Sequence, residues 1–137
     1  PVTTQCTKNN GVSDGMAEFV CPLCATIHLS GSTITLTSCA MAVMVMMNQS
    51  IGFGKMFPFI LMLGVTMVAA PGVPGGAVMA ALGILQSMLG FDDTMCGLMI
   101  ALYIAQDSFG TACNVTGDGA IAVLMDAITG KKKAAAK

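Results

Sequence analysis

Three long apolar blocks, separated by short polar segments, make up most of this chain. The blocks cover residues 16–49, 55–91 and 94–128. A membrane-spanning helix needs roughly 20 mostly apolar residues, and each block is long enough to supply one. Residues 1–15 are mainly polar, and residues 129–137 form a lysine-containing end. The pattern predicts an all-α membrane protein in which residues 1–128 form one helical unit.

The first block is too long for a single plain span, and its centre is polar. The sequence there is His28-Leu-Ser-Gly-Ser32, and Pro22 lies six residues upstream of His28. Ser and Gly weaken the hydrogen-bond ladder of a helix locally. We therefore predict an interrupted transmembrane helix over 16–49.

The second block is broken by Pro71-Gly-Val-Pro-Gly-Gly76, which holds two prolines and three glycines. Such a segment cannot continue a helix. Each half has about 15 residues and reaches about 22 Å, short of the roughly 30 Å hydrocarbon core. These lengths favour a re-entrant helical hairpin over 55–91 with its tip near mid-membrane. One kinked helix of about 35 residues is the alternative.

Polar side chains recur in the third block, which we predict to be a long transmembrane helix over 94–128. At about 100° per residue, Asp107, Thr111, Asn114 and Asp118 share a stripe about 60° wide. Carboxylates at membrane depth are costly unless they are paired, protonated or bound to a cation, and no Lys or Arg occurs within this block. The stripe therefore predicts a site in which a cation, or a cationic group of a substrate, balances the two carboxylates. A solvated helix end or a polar interhelical seam would explain Asp118 but not Asp107.

Composition narrows the function classes. The chain is 55% apolar and only 9% charged, with a net charge of −1, whereas soluble domains are about 25% charged. Nucleic acid is not an expected partner, because the basic residues cluster only at Lys131–Lys133. By the positive-inside rule these lysines predict a cytoplasmic C-terminus. No nucleophile–base pair or cofactor motif indicates an enzyme.

Metal-binding residues are few. The only histidine is His28, and the six cysteines lie mostly in apolar runs, where cysteine acts as a small apolar residue. His28 fits a hydrogen-bonded packing role, and a proton-coupling role stays open. Oxygen ligands such as Asp and Asn suit a hard cation.

Three motifs, in order along the chain, resemble the dicarboxylate/amino acid:cation symporters, the glutamate-transporter family. Cys21-Pro-Leu-Cys-Ala-Thr-Ile-His-Leu-Ser-Gly31 resembles the family's PLGATINMDG segment, and Ala70-Pro-Gly-Val-Pro-Gly-Gly76 resembles the tip of its second re-entrant hairpin. Asn114-Val-Thr-Gly-Asp118 is identical to its last-helix motif. The resemblance covers residues 1–128, with Pro1-Val-Thr3 similar to the end of the first hairpin.

The resemblance implies a secondary active symporter of which this chain is a C-terminal part, with a homotrimer as the complete assembly. It implies a bacterial inner (plasma) membrane as the location and sodium, or another cation, as the coupling ion, without a cofactor. Its implied substrate-binding residues are Asp107, Thr111, Asn114, Gly72, Val73, Pro74 and Gly75. Its implied cation-binding residues are Asn114 and Asp118, with carbonyls near Cys24 and Thr26.

Two departures from the family pattern bear on specificity and coupling. Gly110 stands where acidic-substrate members have an arginine, so the resemblance implies a neutral amino acid rather than a dicarboxylate. His28 and Ser30 replace the Asn and Asp of NMDG, which puts one cation site in doubt. A small structural or pore-forming membrane module without a ligand is the alternative function.

Overall fold

The computed structural model describes residues 1–135, and of 131–135 it describes the backbone alone. This part of the chain folds into helices joined by turns and contains no β-strand, which confirms the predicted all-α class. The helices are α1 Val2–Asn9, α2 Asp14–Ile27, α3 Ser30–Met46, α4 Phe53–Met67, α5 Gly76–Leu89 and α6 Asp93–Ala135.

The first apolar block is interrupted where the polar cluster lies. α2 ends at Ile27 and α3 begins at Ser30, with extended backbone at His28 (φ −118°, ψ 90°) between them. Within residues 1–135, the stretch Asp14–Met46 is the one long and apolar enough to cross a membrane. α4 and α5 are apolar but shorter than a span.

The second apolar block forms two helices that pack against each other, α4 and α5. The turn between them covers residues 68–75 and ends at Gly75, whose φ of 74° lies in the left-handed region. A side chain at Gly76 would collide with the Pro71 carbonyl. The geometry therefore requires glycine at positions 75 and 76, whereas a side chain at Gly72 would meet open space.

α6 is the longest helix and packs against α1, α2, α3 and α5. Its N-terminal half shares the main apolar core with α3, α4 and α5, and its C-terminal half packs on α2 in a smaller core. The helix continues to Ala135, beyond residue 128, where the predicted transmembrane part ends. Lys and Ala favour helix, and nothing between 128 and 135 caps it. The predicted cytoplasmic anchor, the side chains of Lys131–Lys133, lies outside the described residues.

α1 and the turn after it account for the polar residues 1–15. Lys8 of α1 donates a hydrogen bond to Glu18 (2.6 Å) and also pairs with Asp14 (3.3 Å), both in α2. The hydrogen bond to Glu18, with the nearby Asp14 charge, raises the pKa of Lys8 above its usual value. These contacts hold α1 against α2.

Large apolar side chains cover much of the outer surface. Phe109 is 72% exposed, Val65 69%, and Phe19 and Ile34 67% each. Soluble monomers rarely expose contiguous apolar patches of such extent. The surface suits an apolar surrounding such as lipid or another subunit.

Candidate functional site

A cavity of about 1010 Å³ lies where α6, the α2–α3 break and the α4–α5 turn meet. Its polar lining comes mainly from α6 and the break, and its apolar lining from the turn. The residues used below that line it are Thr26, His28, Ser32, Gly72, Val73, Pro74, Tyr103, Asp107, Thr111, Asn114 and Asp118.

The polar stripe of α6 faces this cavity. Asp107, Thr111, Asn114 and Asp118 all contribute to its lining, as expected for one face of a regular helix. Asp118 and Asn114 are buried, at 3% and 6% exposed, whereas Asp107 is half-buried. The stripe therefore becomes more enclosed towards the C-terminal end of the helix.

Asn114 joins α6 to the start of α3. Its side-chain oxygen accepts hydrogen bonds from the backbone N–H groups of Gly31 (2.8 Å) and Ser32 (3.4 Å). Its amide donates to the Ser32 hydroxyl oxygen at 2.9 Å. The first N–H groups of a helix have no partner inside that helix, and α3 has no side-chain cap of its own. Asn114 supplies that cap from another helix.

Asp118 has a partner that inspection of its own helix cannot reveal. The His28 Nδ1 lies 2.8 Å from the Asp118 Oδ1. With Nδ1 protonated, the imidazole donates to the carboxylate, and a fully protonated ring adds an ion pair. Gly117 makes room for the ring, because a side chain there would collide with His28 Cε1. The expectation that only a bound cation balances Asp118 is therefore incomplete.

The partner of Asp107 is instead a backbone N–H group. Its Oδ2 accepts a hydrogen bond from the N–H of Gly75 at 2.9 Å. Gly75 is the last residue of the α4–α5 turn, so this bond fastens the turn to α6. The second carboxylate oxygen of Asp107 stays available to a ligand in the cavity.

The predicted hairpin-tip residues lie beside Asp107. Gly72, Val73 and Pro74 line the cavity, and all three are exposed. Gly75 is buried and contacts the site through its N–H. The turn thus forms one wall of the cavity and brings backbone close to the carboxylate.

The predicted carbonyl ligands are in different surroundings. Thr26 lines the cavity, and its hydroxyl donates to the Leu23 carbonyl at 2.8 Å. Cys24 is buried outside the lining, and its carbonyl accepts the His28 N–H at 2.7 Å. A cation that used the Cys24 carbonyl would share it with that donor.

Gly110 does not line the cavity. It is buried against α3, where an added side chain would contact the Thr35 hydroxyl at 3.4 Å. A side chain at Gly31 would collide with the Gly110 carbonyl. Gly110 therefore serves the close approach of α3 and α6, and its predicted effect on specificity rests on the absence of a cationic side chain.

Ser32 and Tyr103 are among the cavity residues that were not predicted as site residues. Ser32 is held by Asn114, and Tyr103 lies one turn before Asp107 on α6. Tyr103 could have been predicted from its spacing, because it lies four residues before Asp107 and residues four apart share a helix face. Within residues 1–135, no cluster of three or more His, Cys, Asp or Glu side chains could hold a metal.

The chain is similar in sequence to known transport proteins. Residues 1–128 match the Sodium:dicarboxylate symporter family. Human excitatory amino acid transporter 5 is 30% identical over 127 residues, covering 91% of this chain and 22% of the relative. Human neutral amino acid transporter A is 29% identical over 111 residues, or 81% of this chain and 21% of the relative. Human neutral amino acid transporter B(0) is 27% identical over 119 residues, which cover 86% of this chain and 22% of the relative. No solved structure matches significantly.

The sequence match places the chain in a class of transport proteins. The chain belongs to the Sodium:dicarboxylate symporter family, because nearly its whole length matches that family. The resemblance found in its motifs is thereby confirmed. The chain spans about a fifth of the length of the relatives it matches.

Proposed function

We propose that this chain forms the substrate- and cation-binding part of a secondary active symporter for a neutral amino acid. One observation carries the proposal: a free carboxylate oxygen of Asp107 lies in a large cavity, under a glycine-rich turn bonded to the same carboxylate. An ammonium group suits that oxygen, because charge-assisted hydrogen bonds to a carboxylate are strong. No enzymatic step and no cofactor is part of the proposal.

The α4–α5 pair acts as a re-entrant hairpin and as a gate. Its helices are shorter than a membrane span, and its turn packs on α6 through Gly75. Irregular backbone at membrane depth must line a cavity or be buried in protein, and this turn lines the cavity. Release of the Gly75–Asp107 hydrogen bond would open the cavity, and a ligand on Asp107 would favour closure.

The substrate is proposed to be uncharged in its side chain. No Lys or Arg is among the described residues that line the cavity. His28 is the one basic side chain among them, and it is engaged by Asp118. A side-chain carboxylate would find no bidentate partner there. Two of the relatives, A and B(0), are neutral amino acid transporters, which supports a substrate with an uncharged side chain.

The coupling cation is proposed to be sodium, bound near Asp118 and Asn114. Both residues are buried, and the carboxylate supplies the hard oxygen ligand that such a cation prefers. The side-chain oxygen of Asn114 already accepts two N–H groups. Asn114 would therefore bind the cation through its backbone carbonyl oxygen. Sodium and His28 would both act on this end of the stripe, away from Asp107.

The surroundings of the chain complete the proposal. The exposed apolar side chains support contact with lipid and with a scaffold in a homotrimer of the complete transporter. The plasma membrane is the proposed location, with the C-terminus in the cytoplasm.

Gradient-driven uptake tests the proposal. The complete transporter that contains this chain would be reconstituted into vesicles and given labelled alanine, serine, glutamate or aspartate. We expect an inward sodium gradient to drive accumulation of the neutral amino acids, and a potassium gradient to fail. Uptake without any gradient dependence, or none of any amino acid, would reject the symporter. Preference for glutamate or aspartate would reject only the neutral substrate.

A further inference from the structure

The hydroxyl of Tyr103 is buried and has no hydrogen-bond partner. Tyr103 is 0% exposed, although it belongs to the lining of the cavity. Among the described residues, the only other buried side-chain atom in this condition is the Gln49 Oε1. Gln49 lies outside the cavity, and its amide nitrogen is already bonded to Met95. The Tyr103 hydroxyl is the one such group at the site.

An unsatisfied hydroxyl in this position calls for an explanation. Buried polar groups in folded proteins nearly always have a partner, and leaving one unpaired destabilises the fold. Phenylalanine would fill the same space without this cost. A tyrosine here is therefore explained best by a partner that joins it when the site is occupied.

The neighbours of the hydroxyl are two cavity side chains that have other partners. Ser32 and Asp107 lie close to it, but neither is placed for a well-formed hydrogen bond with it. The Ser32 oxygen accepts from Asn114, and one carboxylate oxygen of Asp107 accepts from Gly75. Since residues four apart on a helix face lie about 6 Å from each other, a ligand whose ammonium group sits on Asp107 comes within reach of Tyr103.

We propose that Tyr103 is a specificity-determining residue, whose hydroxyl hydrogen-bonds a hydroxyl or carboxamide on the short side chain of the transported amino acid. This inference rests on the proposed function. A phenol both donates and accepts, so it pairs with either group. The spacing of Tyr103 from Asp107 selects a side chain of one or two carbons.

Serine and alanine differ by one hydroxyl and therefore test this contact. In the complete transporter in vesicles, wild type takes up serine with about tenfold higher affinity than alanine, the contribution of about one hydrogen bond. Tyr103→Phe removes only the hydroxyl oxygen. We expect it to lower serine affinity about tenfold and to leave alanine affinity unchanged.

The matched control is Ser87→Ala, which removes a hydroxyl that is exposed on α5 and bonded to the Gly83 carbonyl. It should alter neither affinity. Retained alanine uptake by Tyr103→Phe shows that the variant folds. Equal loss for serine and alanine would mean that Tyr103 only positions Asp107, and unchanged serine affinity would mean that it contacts no substrate; either result overturns the inference. A wild-type protein that accumulates neither amino acid rejects the symporter itself.

Discussion

Asp107 and Asp118 lie on one stripe of α6, three turns apart, but they are stabilised differently. Asp107 is half-buried and accepts a backbone N–H from the α4–α5 turn, whereas Asp118 is 3% exposed and paired with the His28 side chain. A backbone N–H leaves the charge of a carboxylate in place, while a protonated imidazole can neutralise it. The comparison teaches that two carboxylates on the same face of one helix can be suited to different partners, one to a ligand and the other to an internal or bound cation.

Replacing each carboxylate by its amide tests the comparison most strongly. In the complete transporter, Asp107→Asn and Asp118→Asn should each abolish sodium-driven uptake. Asp107→Asn should also weaken amino-acid binding by at least about 100-fold, because a neutral amide cannot balance an ammonium group. Binding assays in saturating sodium would check this. Asp126→Asn, which alters a carboxylate bonded to Ser13 outside the cavity, is the control. Wild-type uptake by either variant would contradict the assigned roles.

Removing the partner of Asp118 should give the next largest effect. His28→Ala leaves a buried carboxylate unpaired and should destabilise the protein by about 3 kcal/mol in sodium-free buffer. Sodium should restore more stability to this variant than to wild type, since the ion replaces the lost partner. Unfolding in detergent, with and without sodium, measures both the loss of stability and the stability that sodium restores. An identical sodium response in the two proteins would show that Asp118 does not bind the ion.

The contact of α3 with α6 can be perturbed without touching either carboxylate. In Gly31→Ala the new methyl would meet the Gly110 carbonyl and lie 2.6 Å from the Cys113 Cβ. Such overpacking should cost about 2 kcal/mol. Gly83→Ala is the matched control, because it adds a methyl in open space on α5, and it should stabilise by about 0.5–1 kcal/mol. Equal stability of the two variants, measured by chemical denaturation, would refute this close packing.

A smaller perturbation reaches the His28–Asp118 pair through its neighbour. Gly117→Ala places a methyl against the His28 ring, which can rotate away at a cost of about 1 kcal/mol. The displaced ring should lose its hydrogen bond to Asp118 while Asp107 is unaffected. Amino-acid affinity in saturating sodium should then stay unchanged, and sodium affinity should shift. A change confined to amino-acid affinity would show that the two ends of the stripe are not separable.

Local chemistry accounts for what the sequence could predict. The breaks near His28 and in Pro71–Gly76 follow from Gly, Ser and Pro, which act on the backbone within a few residues. The shared face of Asp107, Thr111, Asn114 and Asp118 follows from helical periodicity alone. The continuation of α6 to Ala135 has no local signal in the sequence, because no cap or proline marks where the helix ends.

Contacts between distant segments were beyond such reasoning. His28 and Asp118 are 90 residues apart, and their pairing depends on how the α2–α3 break docks on α6. The same docking turns Gly110 towards α3 instead of the cavity. The sequence pattern does not single out Tyr103, and only its unpaired hydroxyl distinguishes it.

The capping of α3 by Asn114 has a consequence for biogenesis. The donors on Gly31 and Ser32 find their acceptor 82–83 positions later in the chain. During synthesis these amides have no acceptor until Asn114 has left the ribosome. The break at His28 can therefore reach its final form only after α6 has been inserted.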